Sequence, residues 1–300
     1  MRVLLTGATG FIGKSVAARL KERGDIVVPV TRRPTSPGEV GIDLQAGRLD
    51  TSRLPGGTLE GIDASIHLAG KPIIGRWTAR KSEAIRSSRI AIGDLVARSL
   101  LPLERRPLVH VTGSAIGIYG NRGEEPLDES SELGSGFLAD LCRAWEAAAA
   151  PATEAGIRTV AVRTGIVLGR GGALAPQLRL FKLGLGGRLG DGRQWLSWIS
   201  LSDEVSAIVR ALDDDSLFGP INATAPNPVR NSEFTSGLAT AVHRKARLAV
   251  PGGALKLALG SGPAEEMLLA SQRVVPRRLL DSGFSFSHET VEDALRAVVG

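Results

Sequence analysis

The chain has 300 residues, of which 43% are hydrophobic and 23% are charged, with 37 glycines and 16 prolines. This ordinary globular composition excludes a fibrous or wholly disordered chain and predicts one large domain, or one domain with a smaller lobe. The single cysteine, Cys142, excludes an intramolecular disulfide and a four-cysteine zinc site, and the four scattered histidines make a metal site unexpected.

The formal net charge of +6 comes from basic residues, mostly arginines, that are spread along the chain. Their largest clusters, Arg105-Arg106 and Arg277-Arg278, are too small for a nucleic-acid footprint, so we expect no nucleic-acid partner. The apolar run at the start of the chain is too short for a signal peptide, and no segment reaches ~18 uninterrupted apolar residues. We therefore expect a cytoplasmic protein with no membrane partner.

Short β-branched runs alternate with helical patterns in the first half of the chain. The apolar runs predict five buried strands, which are Val3–Leu5, Ile26–Val30, Ala64–Leu68, Leu108–Thr112 and Thr159–Val162. Helical spacing predicts a helix from Phe11 to about Gly24, a second over Thr78–Leu100 and a third over Phe137–Ala155. Continuous apolar strands that alternate with helices are typical of a parallel sheet covered on both faces. The sequence therefore predicts an α/β fold with a doubly wound, Rossmann-type sheet.

The pattern changes after about Arg163. Glycine-rich, irregular segments appear there, followed by shorter helices over Asp203–Leu212 and Ser232–His243. We assign residues 1–165 to a nucleotide-binding Rossmann domain, to which some later segments return. Residues 166–300 are assigned to a smaller substrate lobe, which ends in a helix-rich tail over residues 250–299.

A glycine-rich loop, Gly7-Ala8-Thr9-Gly10-Phe11-Ile12-Gly13, stands between the first predicted strand and the first predicted helix. Gly7 and Gly10 permit a tight turn and close approach of the backbone to a pyrophosphate, and Gly13 lets the helix pack close to the sheet. The spacing is G-x-x-G-x-x-G and differs from the more common G-x-G-x-x-G. A tight turn without a ligand is the alternative, but the strand–loop–helix context favours dinucleotide binding.

The end of the second predicted strand indicates which dinucleotide is bound. An acidic residue there accepts hydrogen bonds from the adenosine ribose, whereas an arginine pairs with a 2′-phosphate. The sequence has Val30-Thr31-Arg32-Arg33-Pro34, with no acid, so we predict NADP(H). Asp43, near the third strand, is a candidate for the adenine amino group, although a loop aspartate is often only a turn residue.

Further segments resemble the extended short-chain dehydrogenases/reductases, the group that contains the sugar-nucleotide epimerases. The matching segments are Leu68–Ile73, Gly75–Thr78, Lys81–Ile85, Ser88-Arg89, Gly113–Gly120, Phe137–Glu146, Arg163–Gly169, Ser197–Ile199, Asn222–Val229 and Leu279–Phe286. Together they are similar to an atypical epimerase-like subfamily of the NAD-dependent epimerase/dehydratase superfamily. That subfamily carries a short C-terminal domain of unknown function, which residues 250–299 match.

The resemblance implies a nucleotide lying across the carboxyl ends of the strands. The residues it assigns to the pyrophosphate turn are Gly7, Thr9, Gly10, Phe11, Ile12 and Gly13. It places Arg32 and Arg33 at the 2′-phosphate, and the adenosine side is lined by Leu68, Ala69 and Gly70. The residues implied near the nicotinamide and its ribose are Thr112, Ser114 and the segment that begins at Arg163.

The catalytic residues of the extended family are missing from their expected positions. The family transfers hydride with a Tyr as general acid/base, a Lys four residues later that lowers the pKa of the Tyr, and a Ser that supports the substrate. The resemblance puts Leu138, Cys142 and Ala115 at these three positions. Tyr119 is the only tyrosine in the chain, so Tyr119 and Ser114 are the candidate catalytic substitutes.

The substrate side also departs from the sugar-nucleotide epimerases. Leu196 and Ser200 stand where those enzymes have an Arg and a His, so recognition of a nucleotide diphosphate sugar is not expected. We predict instead an apolar pocket with an anion clamp, although packing between the lobes is the alternative for the tryptophans. The candidate substrate residues are Arg76, Trp77, Arg193, Trp195 and Trp198.

Two functions fit this sequence. The first is an NADP(H)-dependent oxidoreductase or epimerase-like enzyme that acts on an unknown small molecule, with Tyr119 or water supplying the proton. The second is a non-catalytic NADP(H)-binding sensor or scaffold, which the loss of the Tyr/Lys pair favours. The resemblance also implies a homodimer through the helices predicted over Thr78–Leu100 and Phe137–Ala155.

Overall fold

The structure, a computed structural model, describes residues 1–300. The strands are β1 (Arg2–Thr6), β2 (Ile26–Thr31), β3 (Val40–Asp43), β4 (Arg48–Asp50), β5 (Ala64–His67), β6 (Val109–Ala115), β7 (Pro126–Leu127), β8 (Arg158–Thr164), β9 (Ile166–Leu168), β10 (Gly187–Leu189), β11 (Trp195–Leu196), β12 (Trp198–Ser200), β13 (Gly219–Ala223), β14 (Val229–Arg230), β15 (Leu248–Val250) and β16 (Arg273–Val274). The helices are α1 (Phe11–Glu22), α2 (Ala79–Ser87), α3 (Ile90–Ser99), α4 (Phe137–Ala147), α5 (Ala150–Glu154), α6 (Leu174–Lys182), α7 (Leu201–Asp213), α8 (Asn231–Ala241), α9 (Gly252–Leu259), α10 (Ser261–Pro263), α11 (Arg277–Asp281) and α12 (Val291–Val299).

Eight strands form one large sheet in the order β13-β8-β6-β5-β1-β2-β3-β4. Every neighbouring pair is parallel except β3 and β4, which form an antiparallel edge. The chain moves outward in both directions from β1, so the order reverses beside that strand. The predicted doubly wound, Rossmann-type sheet is confirmed.

Both faces of the sheet are buried because successive side chains of a strand point to opposite sides. On β1, Val3 and Leu5 belong to the core under α1 and α7, whereas Leu4 belongs to the core under α3. All three side chains are fully buried. Burial on both faces explains why the strands read as continuous apolar runs in the sequence.

Two of the predicted long helices are each broken in the structure. The segment over Thr78–Leu100 forms α2 and α3, which are separated at Ser88 and Arg89. The segment over Phe137–Ala155 forms α4 and α5. Pro151 lies in the first turn of α5, where its missing N–H costs nothing, whereas it would interrupt a continuous helix.

Parts of the second half of the chain return to the large sheet. β13 pairs with β8 as the outermost strand, and α7 packs against α1. The remaining short strands form pairs, and the C-terminal tail joins the first half through the pairing of β16 with β7. The structure contains no helix long and apolar enough to cross a membrane.

Candidate cofactor and substrate site

The glycine-rich loop forms a tight turn between β1 and α1. Gly7 has a positive φ of 75°, and a Cβ on Gly13 would lie 2.1 Å from the carbonyl oxygen of Gly7. Gly10 is the N-cap of α1, and neither a capping side chain nor an acidic residue satisfies the first turn. These free amides and the partial positive charge of the helix suit a pyrophosphate, so the turn fits a dinucleotide.

The ring of Phe11 explains why the segment Gly169–Gly172, which follows β9, is rich in glycine. A Cβ on Gly169, Gly171 or Gly172 would lie 2.6–2.8 Å from a ring atom of Phe11. The segment after β9 therefore closes over the start of α1 only because it lacks side chains at these positions. This contact holds the phosphate turn against the second half of the chain.

The segment after β5 packs directly on the phosphate turn. A Cβ on Gly7 would lie 2.7 Å from the backbone of Leu68, and the amide of Ala69 donates to Thr6 Oγ1 over 3.1 Å. Thr6 Oγ1 lies 2.8 Å from Nδ1 of buried His67. Since His67 Nε2 faces the carbonyl oxygen of Arg89 at 2.9 Å, it is the protonated nitrogen, and Nδ1 accepts from Thr6. Burial lowers the pKa of His67 to about 4, which keeps this arrangement neutral.

Arg32 and Arg33 follow β2 and are exposed. Neither guanidinium forms a salt bridge, so both are free to bind an anion at the end of β2, the strand that pairs with β1. Asp43, at the end of β3, uses Oδ1 to accept the amides of Gln45 and Ala46. Asp43 is therefore a turn residue, as the alternative interpretation of the sequence expected. Its contact with the adenine amino group stays a prediction.

The carboxyl ends of β6 and β8 carry a buried hydrogen-bonded network. Arg163 binds Glu146 through two hydrogen bonds of 2.9 and 3.0 Å, and Ser114 donates to the same carboxylate over 2.6 Å. Burial opposes the charge of Arg163, but Glu146 outweighs that effect, and the pKa of Arg163 is raised. Only 4% of Arg163 is exposed, so its role is to neutralise Glu146; this does not support the predicted cofactor contact. Thr112, at 1% exposed, lies within the sheet.

Tyr119 is also part of this network and is fully buried. Its hydroxyl donates to Asn222 Oδ1 over 2.7 Å and accepts from Arg163 Nη1 over 2.9 Å. Burial raises the pKa of Tyr119 and outweighs the opposing effect of Arg163. The structure does not support Tyr119 as the substitute proton donor, because its hydroxyl is enclosed and already bound on both sides.

The positions of the missing catalytic residues are filled by groups that do not exchange protons. Leu138 packs against Gly117, and Cys142 is buried beside the amide of Ala115 and the hydroxyl of Ser114. Burial raises the pKa of the Cys142 thiol to about 12, so the thiol stays protonated at neutral pH. The interpretation of Cys142 as a small buried hydrophobe is therefore consistent with its surroundings.

The structure does not place the five predicted substrate residues around one pocket. Trp198 is fully buried and donates to the carbonyl oxygen of Asn227 over 3.0 Å, so its pocket role is wrong. Arg76 holds the end of α9 through the carbonyl oxygens of Leu257 and Ala258. These bonds satisfy the guanidinium that was expected to clamp an anion.

The other two predicted tryptophans make packing contacts. Trp77 stacks on Phe137, with ring centroids 4.6 Å apart. The ring of Trp195 contacts the guanidinium groups of Arg230 and Arg273, which are 4.1 and 4.8 Å from its centroid. Arg193 is exposed beside Trp195 in the sequence. These contacts fit the alternative interpretation, in which the tryptophans pack between segments of the chain.

A cavity of about 600 Å³ lies where the C-terminal tail meets the start of α4. Its lining includes Gly117 and Leu138, next to the position of the missing tyrosine, together with Lys256, Glu265 and Leu269 from the tail. None of the five predicted substrate residues lines it. Tyr119, a predicted catalytic residue, is also part of the lining. Sequence reasoning missed the wall that the tail provides, because that segment lies about 120 residues farther along the chain.

Profiles of two known families match different parts of the chain. A profile of the NAD-dependent epimerase/dehydratase family matches residues 3–222, and a profile described only as a domain of unknown function, DUF1731, matches residues 250–298. An epimerase family protein of Mycobacterium leprae, ML0860, is 38% identical over 296 residues, which cover 98% of this chain and 94% of the relative. The epimerase family protein YfhF of Bacillus subtilis is 35% identical over 300 residues, covering 100% and 98%.

A solved structure is similar over the whole length. It is the human epimerase family protein SDR39U1, isoform 2, crystallised with NADPH. That chain is 32% identical to this one, with a TM-score of 0.90 and coverage of 100% of this chain and 99% of the human chain. The similarity therefore extends across both the large sheet and the C-terminal tail.

Proposed function

The chain belongs to the NAD-dependent epimerase/dehydratase family, and from this premise we propose that it binds NADP(H) at the glycine turn. The observation that carries the proposal is the turn itself, where Gly13 leaves no room for a Cβ and no side chain caps the first turn of α1. A human relative with a TM-score of 0.90 was crystallised with NADPH, which supports the same ligand here. When bound, a nicotinamide cofactor supplies or accepts a hydride.

Selectivity for the phosphorylated cofactor is assigned to Arg32 and Arg33. Both are exposed at the end of β2, where an acidic residue would instead hold an unphosphorylated ribose. Guanidinium groups bind phosphate oxygens through paired, charge-assisted hydrogen bonds, so two free arginines favour NADPH over NADH.

The geometry around the missing Tyr/Lys pair favours binding without turnover. Leu138 and Cys142 offer no proton, and Tyr119 is enclosed. Ser114 donates its proton to Glu146, so the hydroxyl is committed to the internal network. We therefore propose a non-catalytic NADP(H)-binding protein.

One observation favours a second candidate, the reduction of a small molecule. The cavity beside Gly117 and Leu138 has a volume of about 600 Å³, which is large enough for a small metabolite. In that case the proton would come from water or from Lys256 or Glu265 in the cavity wall, because no side chain at Leu138 or Cys142 provides it.

A fluorescence titration with NADPH, with NADH as the control, tests the proposal. We expect saturable binding of NADPH and much weaker binding of NADH. Absence of binding to either nucleotide would contradict the proposed function. NADPH oxidation with a panel of carbonyl compounds then separates the two candidates, since steady turnover would replace the binding role with the reductase.

A further inference from the structure

Arg89 belongs to one of the segments that resemble the family, but the resemblance gives its side chain no role in the site. It lies at the break between α2 and α3, and its carbonyl oxygen accepts from His67 Nε2 over 2.9 Å. Its side chain reaches under the segment after β5, where a Cβ on Gly70 would lie 2.8 Å from the guanidinium carbon. Arg89 is thus close to the segment that packs on the phosphate turn.

The guanidinium of Arg89 is only partly satisfied by protein. Nη1 donates to the carbonyl oxygens of Lys71 and Ile85 over 2.9 and 3.3 Å. Nε is buried and has no hydrogen-bond partner, and the same is true of the neighbouring Trp145 Nε1. An unpaired buried donor is costly, so two such donors on side chains that stack on each other indicate a missing acceptor.

The surroundings of Arg89 show where that acceptor would lie. The guanidinium stacks on Trp145, 5.0 Å from the ring centroid. The edge of the Trp145 ring occupies the space where Gly113, near the end of β6, would carry a Cβ. Arg89 therefore lies between the segment after β5 and the end of β6, at the carboxyl edge of the sheet where the proposed dinucleotide would bind.

The position of Arg89 also relates to the missing lysine. The resemblance places Cys142 at the lysine position of α4, and Trp145, on which the Arg89 guanidinium stacks, lies three residues later on the same helix. Burial lowers the pKa of Arg89, but a guanidinium stays protonated at neutral pH. A cation is therefore present beside position 142 even though α4 does not supply it.

We propose that Arg89 takes the place of the missing lysine and donates hydrogen bonds to the nicotinamide-ribose half of NADPH. The inference rests on the proposed function, because it requires NADPH at the glycine turn. A guanidinium offers donors in a fixed plane and suits adjacent oxygens, such as ribose hydroxyls or the pyrophosphate oxygen beside them. Arg89 then positions the reactive half of the cofactor, whereas Arg32 and Arg33 hold the adenosine half.

Two ligands distinguish this role from simple structural support. NADPH contains both halves of the cofactor, whereas 2′,5′-ADP contains only the adenosine half and its 2′-phosphate. Arg89→Met should weaken NADPH binding about tenfold, the loss expected for a charge-assisted hydrogen bond, and leave 2′,5′-ADP binding unchanged. Both affinities are measured by fluorescence or calorimetric titration, so no turnover is needed.

Two further variants complete the test. Cys142→Lys in the Arg89→Met background should restore most of the NADPH affinity, because it returns a cation to α4. Arg158→Met is the matched control, since Arg158 also donates to backbone carbonyls. It lies at the first residue of β8, away from the carboxyl ends of the strands where Arg89 lies. That control should lower stability and change neither affinity. If Arg89→Met does not fold, Arg89→Gln retains a donor for the Lys71 carbonyl and is used instead.

Each result has a defined meaning. Selective loss of NADPH affinity with rescue at position 142 supports the proposal. Equal loss of both ligands, or no loss of either, would overturn it, because Arg89 would then support the fold alone. Failure of the unmodified protein to bind either ligand would instead overturn the proposed function, and the inference would fall with it.

Discussion

Glu266 and Leu138 are joined by a 2.8 Å hydrogen bond across 128 residues of sequence, with the carboxylate accepting the amide. The same carboxylate accepts the amide of Phe137 over 3.1 Å, so the C-terminal tail caps α4. Gly136 precedes the helix with a φ of 107°, and a Cβ there would lie 3.0 Å from Glu266. The segment that matches the domain of unknown function, residues 250–298, is thereby joined to α4, the helix that carries Leu138 and Cys142.

Removing this cap should destabilise the protein. Glu266→Ala leaves two amides at the start of α4 without an acceptor and removes a negative charge from the positive end of the helix. We expect a loss of about 1–2 kcal/mol in the free energy of unfolding, measured by urea denaturation. The control is Glu265→Ala, because Glu265 forms only an exposed pair with Lys256 and should change stability by less than about 1 kcal/mol. Equal effects of the two variants would show that the cap is not important.

Replacing one partner of the Arg163–Glu146 pair should destabilise the protein more, per substitution, than replacing both partners together. Glu146→Gln leaves a buried guanidinium without its counterion, for which we expect a loss of about 3 kcal/mol in the free energy of unfolding. The double variant Glu146→Gln/Arg163→Met removes the uncompensated charge and should lose less than the sum of the two single variants. Additive losses in this double-mutant cycle would contradict the coupling.

Glu204 should make stability depend on pH. It is fully buried, Thr164 donates to its Oε1 over 2.8 Å, and Oε2 has no partner. Burial raises the pKa of Glu204 to about 8, above its ordinary 4.5. The folded protein therefore holds a proton that the unfolded chain releases, and stability is lost as the pH rises from about 4.5 to 8.

The variant Glu204→Gln cannot lose this proton. The difference in unfolding free energy between Glu204→Gln and the unmodified protein should grow by about 4 kcal/mol in favour of the variant between pH 4.5 and 8. Denaturation at several pH values measures it. A difference that stays constant over this range would mean that Glu204 is ionised in the folded protein.

Arg32 and Arg33 should govern the preference for the phosphorylated cofactor. Arg32→Ser/Arg33→Ser should reduce NADPH affinity about 10- to 100-fold, because it removes charge-assisted hydrogen bonds to phosphate, and should leave NADH affinity nearly unchanged. Arg247→Ser, an exposed arginine outside the large sheet, serves as the control for net charge. Parallel loss of both nucleotides would place the arginines somewhere other than at the 2′-phosphate.

The local patterns of the sequence were sufficient for the architecture. The apolar runs of the strands and the glycine turn before α1 are formed by residues that are adjacent in the sequence. Periodicity was therefore enough to predict the alternation of strands and helices. The sequence also shows that Tyr119 is the only tyrosine in the chain, which is why we predict that the usual Tyr/Lys pair is missing. The break at Pro151 could have been predicted from the proline alone.

The functions of individual polar side chains were decided by tertiary contacts. Tyr119 and Trp198 looked available in the sequence, but the folded chain encloses both and satisfies their polar atoms. The sequence shows Arg89 only as part of a family motif. The contact of its guanidinium with Trp145 of α4 depends on how α3 packs against α4. A sequence determines periodicity because it is a property of adjacent residues, whereas burial, pKa and hydrogen-bond partners depend on segments that meet only after folding.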